Sequence, residues 1–200
     1  MTSAEARSFK TMRLIRTQRL RLVPVTGQKA ALLWRLLQAP DLRMFQDLPN
    51  LSEGAFRAMV NSRPKRLRPG AVGRFEWLVY LHRMRRPAGW VSLRLSERDD
   101  TGEIGYTIVR EFRGRGFATE AVAALLHEAF ARGQLDRISA YCVPDNRPSR
   151  KVLARLGFRE GALVHNGASV AGRAVDVLHH VIARRDWLQS AKTIEIPASA

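Results

Sequence analysis

The clearest periodic pattern of apolar side chains lies between residues 118 and 132. Apolar residues recur there every three or four positions, as they do on one face of an α-helix, and Gly133 follows as the expected stop. The face consists of Ala118, Ala121, Val122, Leu125, Leu126, Ala129 and Phe130. Three further helices are predicted at 26–37, with Leu32, Leu33, Leu36 and Leu37 on one stripe, at 52–61, with Ser52 as N-cap, and at 146–157, ended by Gly157.

Between these helices, alternating or continuously apolar segments predict β-strands. They cover residues 19–25, 74–82, 89–96, 102–109, 137–143, 158–164 and 174–183. A short basic turn joins the second and third strands into a hairpin, and the last two form a closing antiparallel pair. The order runs from antiparallel strands to a strand–helix–strand unit and then to a helix and a hairpin. This order predicts one α/β (mixed α+β) domain, built on a single, mostly antiparallel sheet and flanked by helices.

Composition narrows the class of protein. The 200 residues are 46% hydrophobic and 26% charged, which is typical of one soluble domain. No apolar run approaches the roughly 20 residues that cross a bilayer, and the first residues lack the apolar core of a secretory signal. The single cysteine, Cys142, cannot form an internal disulfide, and no Cys/His spacing matches a zinc site. We therefore expect a cytoplasmic protein with no membrane contact and no metal.

Charge is the unusual feature of the composition. Thirty-four Lys and Arg residues against 18 Asp and Glu give a net charge of +16, and the segment 57–98 holds 11 of the basic residues and only two glutamates. Such a field attracts polyanions, so a weak contact of this segment with RNA or the ribosome is one interpretation. An arginine-rich surface without a polyanionic partner is the other.

The loop "EFRGRGFATEA" (111–121) lies between a predicted strand and the clearest helix. A dinucleotide-binding fingerprint would need a third glycine where Thr119 stands, and a P-loop would need Gly-Lys-Ser/Thr. The N-terminus of a helix nevertheless binds anions, glycine allows close approach, and Arg113 and Arg115 add cationic donors. The loop is thus either a pyrophosphate-binding site or a tight turn with solvated arginines.

A second motif decides between these interpretations. Arg113-x-x-Gly116-x-Ala118 resembles the pyrophosphate signature of the GNAT superfamily of acyl-CoA N-acyltransferases, and "DNRPSRKVLARLGF" (145–158) resembles that superfamily's next block. The stretches "RTQRLRLVPV", "GRGFATEAV" and "VDVLHHVIARRDW" resemble the ribosomal-protein N-terminal (Rim-type) acetyltransferases. The resemblance covers residues 15–187, which leaves 1–14 as an N-terminal extension and 188–200 as a tail that we expect to be frayed.

The resemblance implies that acetyl-CoA lies between two splayed strands, 103–109 and 137–143. It also implies a set of coenzyme-binding residues: Ile108, Val109, Arg113, Gly114, Arg115, Gly116, Phe117, Ala118, Thr119, Asn146 and Ser149. Many members of the superfamily place a tyrosine seven residues after the asparagine to serve the leaving thiolate, but here that position is Leu153. Ser149 is the substitute that the Rim-type resemblance suggests, and Cys142 is expected to be a small buried residue.

Glu103 is the leading candidate for the general base, because it begins the strand that lines the cleft. Less supported carboxylates are Asp47, Glu53, Glu76 and Asp176, and attack by an already deprotonated amine needs no dedicated base. The expected reaction is transfer of an acetyl group to a primary amine, most simply a protein or peptide N-terminus, by direct attack in a ternary complex.

A small-molecule amine is an alternative acceptor, although a +16 chain repels polycations. The loop 38–50, with Asp41 and Asp47, is a candidate lining of the acceptor site. A non-catalytic module that binds RNA or the ribosome through its basic face is the alternative of a different class. The chain is expected to be a monomer or a homodimer.

Overall fold

The computed structural model describes residues 12–42, 51–96, 101–170 and 172–190. The strands are β1 (Ile15–Arg16), β2 (Leu20–Pro24), β3 (Gly73–Leu81), β4 (Gly89–Leu95), β5 (Thr101–Ile108), β6 (Arg137–Cys142), β7 (Arg159–Val170) and β8 (Arg173–Ala183). The helices are α1 (Ala30–Leu37), α2 (Glu53–Ser62), α3 (Phe117–Arg132), α4 (Arg147–Arg155) and α5 (Arg184–Ser190).

All eight strands belong to one sheet, in the order β1-β2-β3-β4-β5-β6-β8-β7. Neighbouring strands are antiparallel except for β5 and β6, which are parallel and are connected by α3. A parallel pair needs such a crossover, because a tight turn can join only antiparallel neighbours. The predicted fold class, a mixed α/β domain on one mostly antiparallel sheet with flanking helices, is confirmed.

Helices cover both faces of this sheet. Along β3, Phe75, Trp77 and Val79 point into a core that includes α3 and Leu153 of α4, whereas Leu78 and Tyr80 point into a second core formed with α1 and α2. Successive side chains of a strand face opposite sides, so one strand feeds two cores. The sheet therefore lies between two layers of helices, and side chains on its two faces pack against different layers.

Two predicted helices differ in detail from the observed ones. The first begins at Ala30 rather than at residue 26, because residues 27–29 form a turn in which the Lys29 N–H donates to the Thr26 carbonyl at 2.8 Å. Its buried face is Ala30, Leu33 and Leu37, whereas Leu32 is 38% exposed, so the predicted leucine stripe is wrong at that residue. Helix α3 is buried over all six residues 121–126 rather than along one face. None of the helices in the described part of the chain is long and apolar enough to cross a membrane.

The parallel pair opens toward its C-terminal end. Register pairs run from Thr101–Arg137 to Ile104–Ala140 and stop there, although β5 continues to Ile108 and β6 to Cys142. Beyond Ile104, the two strands diverge and leave backbone groups on their inner edges without a neighbouring strand. This gap is the splay that the resemblance implied, and it leads from the middle of the sheet to the N-terminus of α3.

Candidate active site

A cleft of about 200 Å³ lies where β5 and β6 separate. On the side of α3 and α4 it is lined by Tyr106, Cys142, Asn146 and Ser149. The opposite side, toward α1 and α2, carries charged residues of β3, β4 and β5 together with Arg63, which follows α2. A long molecule lying in the splay would therefore contact a polar, mostly neutral wall and a strongly charged one.

The glycine loop adopts a conformation that requires glycine. Gly114 and Gly116 have φ angles of +76° and +78°, in the left-handed region where a Cβ is strained. Gly116 is the N-cap of α3, and the first intrahelical bond runs from the Glu120 N–H to its carbonyl at 3.1 Å. The N–H groups of residues 117–119 precede that bond and therefore lie in the part of a helix that attracts anions.

Arg19, at the edge of β2, braces this loop from outside. Its Nη1 donates to the Arg115 carbonyl at 3.0 Å, and its Nε donates to Glu120 Oε2 at 2.6 Å. The guanidinium also lies over the Phe117 ring, 4.8 Å from the centroid. The sequence pattern did not reveal this role, because an arginine that alternates with apolar residues in a strand usually faces solvent.

Arg113 and the end of β5 form a second brace. Arg113 Nε donates to the Ile108 carbonyl at 2.7 Å, so this arginine ties the loop to the strand. The Val109 N–H donates to the Ala88 carbonyl and its own carbonyl accepts from Phe112, so both backbone groups of Val109 are engaged within the chain. Since backbone groups alternate in direction along a strand, those of Ile108 and Tyr106 point toward the splay. The backbone groups that face the splay at this point are therefore those of Ile108 and Tyr106, of which the Ile108 carbonyl already accepts from Arg113. The predicted contact of Val109 with the coenzyme stays a prediction.

Ser149 and Tyr106 form the polar pair of the cleft. Their hydroxyl oxygens are 2.7 Å apart, and the phenol oxygen also lies 3.1 Å from the Ser149 carbonyl oxygen, which is the alternative acceptor for its single proton. Asn146 Oδ1 accepts from the Ser149 N–H at 3.2 Å and thereby caps α4. Burial raises the pKa of Tyr106 well above its usual range, so the phenol stays protonated. Burial also raises the pKa of the Cys142 thiol, which agrees with the expected small buried residue.

The sequence patterns did not single out Tyr106, because the position at which many members of the superfamily have a tyrosine is Leu153. Leu153 is fully buried in the core below α4. Tyr106 reaches the same neighbourhood from β5 and hydrogen-bonds to α4. The available signal was the alternation of "GEIGYTIV", which puts Tyr106 on the face of the buried Ile104 and Ile108 and so turns a hydroxyl toward the helices.

Of the candidate carboxylates, Glu103 and Glu76 line the charged wall. Glu103 Oε2 lies 2.5 Å from Arg94 Nη2. Glu76 is buried, forms an ion pair with Arg63 and accepts from Trp90 Nε1 at 3.1 Å, so it is bound into the wall.

The remaining candidates lie elsewhere. Glu53 is in the first turn of α2. Asp176 lies on β8, where its side chain accepts from the Asn166 N–H at 2.9 Å. Asp41 is in a short 3-10 turn, Pro40–Leu42, and Asp47 lies outside the described residues. Among the described candidates, Glu103 and Glu76 lie at the cleft, and Glu103 is the more exposed of the two, with a side chain that is 33% exposed against 3% for Glu76. Its role as a base stays a prediction.

The segment from residue 19 to residue 159 matches the family model of the acetyltransferase (GNAT) domain. The chain belongs to the GNAT family. The family resemblance predicted from the glycine loop and the block that begins near Asn146 is thereby confirmed.

Among curated proteins, relatives of this GNAT chain are N-acetyltransferases by name. The uncharacterised N-acetyltransferase p20 of Bacillus licheniformis is 34% identical over 93 residues, which are 46% of this chain and 52% of p20. The ribosomal-protein-serine acetyltransferase of Escherichia coli is 37% identical over 71 residues, which are 35% of this chain and 40% of that enzyme. The chain spans about half the length of the curated relatives it matches.

Solved structures show the same GNAT fold over nearly the whole chain. RimL, a ribosomal L7/L12 α-N-protein acetyltransferase solved in complex with coenzyme A, superimposes with a TM-score of 0.72. The match covers 86% of this chain and 98% of RimL at 20% sequence identity. The described fold extends through α5, which ends at Ser190, and the predicted boundaries at residues 14 and 187 stay predictions.

Proposed function

We propose that this GNAT domain transfers an acetyl group from acetyl-CoA to the amine of a protein or peptide N-terminus. The observation that carries the proposal is the splay between β5 and β6, which leads from a polar cleft to the glycine loop. The relatives named as ribosomal-protein acetyltransferases support a protein acceptor.

The residues around the splay fit coenzyme A. We assign the pyrophosphate to the N–H groups of residues 114–119, since a Cβ built on Gly114 would have no atom within 4 Å and the loop therefore leaves room. The backbone of Ile108 and Tyr106 would pair with the amides of the pantetheine arm as an added strand does. Asn146, at the start of α4, lines the cleft and would contact the arm farther along. Bound acetyl-CoA supplies the activated thioester.

We assign to Ser149 and Tyr106 the protonation of the leaving thiolate. A serine hydroxyl that accepts from a neutral phenol can donate its own proton, and their oxygens are 2.7 Å apart. The raised pKa of Tyr106 keeps the phenol a donor throughout the neutral range. The pair can therefore give the departing thiolate a proton, with Ser149 passing on its own and taking that of Tyr106, and solvent then returns to the phenol the proton that the attacking amine loses.

We assign to Glu103 the role of accepting the proton that the attacking amine loses. Arg94 binds Oε2 of this carboxylate and so fixes its orientation in the charged wall. The carboxylate can take the proton directly or through a water molecule. Attack then occurs in a ternary complex, with the amine on the charged wall and the thioester in the splay.

The test combines binding and turnover. Isothermal titration should detect acetyl-CoA binding by the wild type and its loss in Gly116→Asp, which places a carboxylate where a phosphate would lie. Mass spectrometry of N-terminal peptides incubated with labelled acetyl-CoA should then show addition of one acetyl group at the α-amine. Absence of acetyl-CoA binding, or acetylation confined to small amines, would contradict the proposal.

A further inference from the structure

The charged wall of the cleft carries three arginines, namely Arg63, Arg74 and Arg94. The register of β3 and β4 sets Arg74 directly opposite Arg94, and Glu103 follows on β5 in the same row. Like charges directly opposite each other destabilise a sheet. A fold that keeps this pair in a cleft gives up stability there, which is common where a charged ligand binds.

Two of these guanidiniums, those of Arg63 and Arg74, are partly withdrawn from water. Burial, and then the charge of Arg74, lowers the pKa of Arg63 to about 10. Burial, and then Arg94, lowers the pKa of Arg74, while Glu103 acts in the opposite direction. The wall therefore holds its positive charge at an energetic cost, which an anion bound beside it would offset.

The carboxylates of the wall do not balance its arginines. Glu76 pairs with Arg63, and Glu103 pairs with Arg94 at 2.5 Å. Arg74 has its ion-pair contact with Glu76 Oε1 at 4.0 Å, the longest of the three. Among the described residues that line the cleft, three positive side chains thus meet two negative ones, and Arg74 is the least closely paired.

We propose that Arg74, together with Arg94, binds an acidic side chain of the acceptor, and that the preferred acceptor is a peptide with Asp or Glu at its second or third position. This inference rests on the proposed function and names its substrate class. An arginine fork binds a carboxylate through two parallel hydrogen bonds, so an acidic side chain matches this wall better than an amide or a lysine does.

Spacing favours a peptide over a free amino acid. Neighbouring strands lie about 4.8 Å apart, so Arg94 and Arg74 lie about 5 and 10 Å from the row position of Glu103. An extended chain advances about 3.5 Å per residue, and an acidic side chain on the second or third residue spans that distance from the amine. The α-carboxylate of a free amino acid lies closer to its own amine than such a side chain does, and so matches the position of Arg74 less well.

The same wall favours the reactive form of the amine. Nearby positive charges disfavour the ammonium ion and so raise the fraction of neutral amine. An acceptor that also brings a carboxylate can bind to this wall while its amine loses a proton. A polycationic acceptor has no carboxylate to attract it, so the arginines of the wall only repel it.

The experiment compares three otherwise identical peptides that begin Ser-Asp-Glu, Ser-Asn-Gln and Ser-Lys-Lys. In the wild type, we expect kcat/KM for the acidic peptide to exceed that for the amide peptide by about tenfold, the loss typical of removing one charged hydrogen-bond partner. Arg74→Gln should reduce this ratio to about twofold or less, and Arg74→Glu should favour the lysine peptide. The matched control is Arg185→Gln, since Arg185 lies on α5, 80% exposed and outside the cleft lining, and this variant should keep the wild-type ratio.

Other outcomes overturn the inference in distinguishable ways. Equal rates for the three peptides, or a preference that persists in both Arg74 variants while acetyl-CoA binding shows that they are folded, contradict the acidic-peptide site but leave the proposed function intact. Free aspartate or glutamate acetylated faster than the acidic peptide would move the site to small acceptors. If no amine is acetylated, the proposed function fails, and titration of the acidic and amide peptides, followed by tryptophan fluorescence, still tests the carboxylate site. Equal affinities in that titration would also overturn the inference.

Discussion

Ser149 and Tyr106 are the two residues whose chemistry depends most on their contact. Neither hydroxyl is unusual alone, but the 2.7 Å between them and the burial of the phenol make a hydrogen-bonded donor pair. The phenol of Tyr106 stands on a different element from the position where the superfamily more often has one. Under the proposed function, Tyr106 would fill this role from β5, because the position on α4 is Leu153.

We expect Ser149→Ala and Tyr106→Phe each to lower kcat by about 10- to 100-fold, the range of general-acid contributions. The KM for acetyl-CoA should change little, because the coenzyme is assigned mainly to the backbone of the loop and strand. The double variant should be about as slow as the slower single one, since both groups serve one proton transfer. Steady-state kinetics with a peptide acceptor measure this.

Ser139→Ala is the matched control for this pair. Ser139 is a buried serine with a side-chain partner, His179 at 2.9 Å, whereas Ser149 is half-buried, and Ser139 lies outside the cleft lining. Its variant should retain the wild-type kcat. Additive losses in the Ser149/Tyr106 double variant would show that the two hydroxyls act separately.

Among the elements, the glycine loop can be tested against a matched turn elsewhere. Gly114 and Gly172 both have a φ of +76°, and a Cβ on either would meet no atom within 4 Å. Alanine at either position should therefore lower the free energy of unfolding by about 1 kcal/mol through backbone strain alone. Only Gly114→Ala should weaken acetyl-CoA binding, because Gly172 lies in the β7–β8 turn.

Denaturant titration measures the first quantity, and calorimetric titration of acetyl-CoA measures the second. Wild-type affinity for acetyl-CoA in both variants would contradict the assignment of the pyrophosphate to the glycine loop. A loss of affinity in Gly172→Ala as well would indicate a general effect of destabilisation.

Local patterns predicted the elements of this fold but not the contacts between them. The periodicity of α3 and the Ser52 cap gave correct helices, since Ser52 Oγ accepts from the Ala55 N–H as predicted. The start of α1 was misplaced because a turn at 27–29 shares the polar composition of a helix N-terminus. Strand β1 has only two residues, and α5 lies in a stretch without a clear apolar period, so neither was predicted.

The candidate site was predictable where it follows a motif along the chain. The glycine loop, Asn146 and Ser149 lie in contiguous stretches. Arg19 and Tyr106 reach the site from other strands, and their contacts depend on the register of the sheet. Pairing between distant segments has no local signature, and these residues emerged only in three dimensions.

For the whole molecule, the net charge of +16 is unevenly distributed, and part of it lies at the cleft. Three arginines of the basic segment 57–98, namely Arg63, Arg74 and Arg94, line the cleft, and Arg86 pairs with Glu111 at 2.7 Å. Part of the excess charge thus belongs to the candidate acceptor wall. A contact of the remaining basic residues with RNA or the ribosome stays a prediction, which a salt titration of RNA binding would test.

In a chain with so many arginines, a buried carboxylate can pair with more than one of them and so contribute to stability. Glu128 on α3 has a side chain that is 4% exposed, and it binds Arg13 at 2.8 Å and Arg132 at 2.9 Å. It thereby ties the segment before β1 to the central helix. We expect Glu128→Gln to lower the free energy of unfolding by about 1–3 kcal/mol, because a buried charged acceptor is lost while both arginines remain partly hydrated.

Glu160→Gln is the control in the same denaturant titration. Glu160 pairs with Arg150 at 3.0 Å, but its side chain is 43% exposed, so we expect a loss of less than about 1 kcal/mol. Equal losses in the two variants would mean that burial adds nothing to the Glu128 pairs.

The short ladder between β5 and β6 divides the sheet into a part of five strands and a part of three. Four register pairs join the two parts, fewer than hold any other neighbouring strands except β1 and β2. Separating the sheet along this line parts fewer register pairs than any other cut through its interior, so we expect opening motions to concentrate there. A ligand that forms hydrogen bonds to both strand edges would connect the two parts of the sheet. Its binding would then raise the free energy needed to separate them. In such an architecture the proposed substrate cleft lies along the shortest ladder in the interior of the sheet.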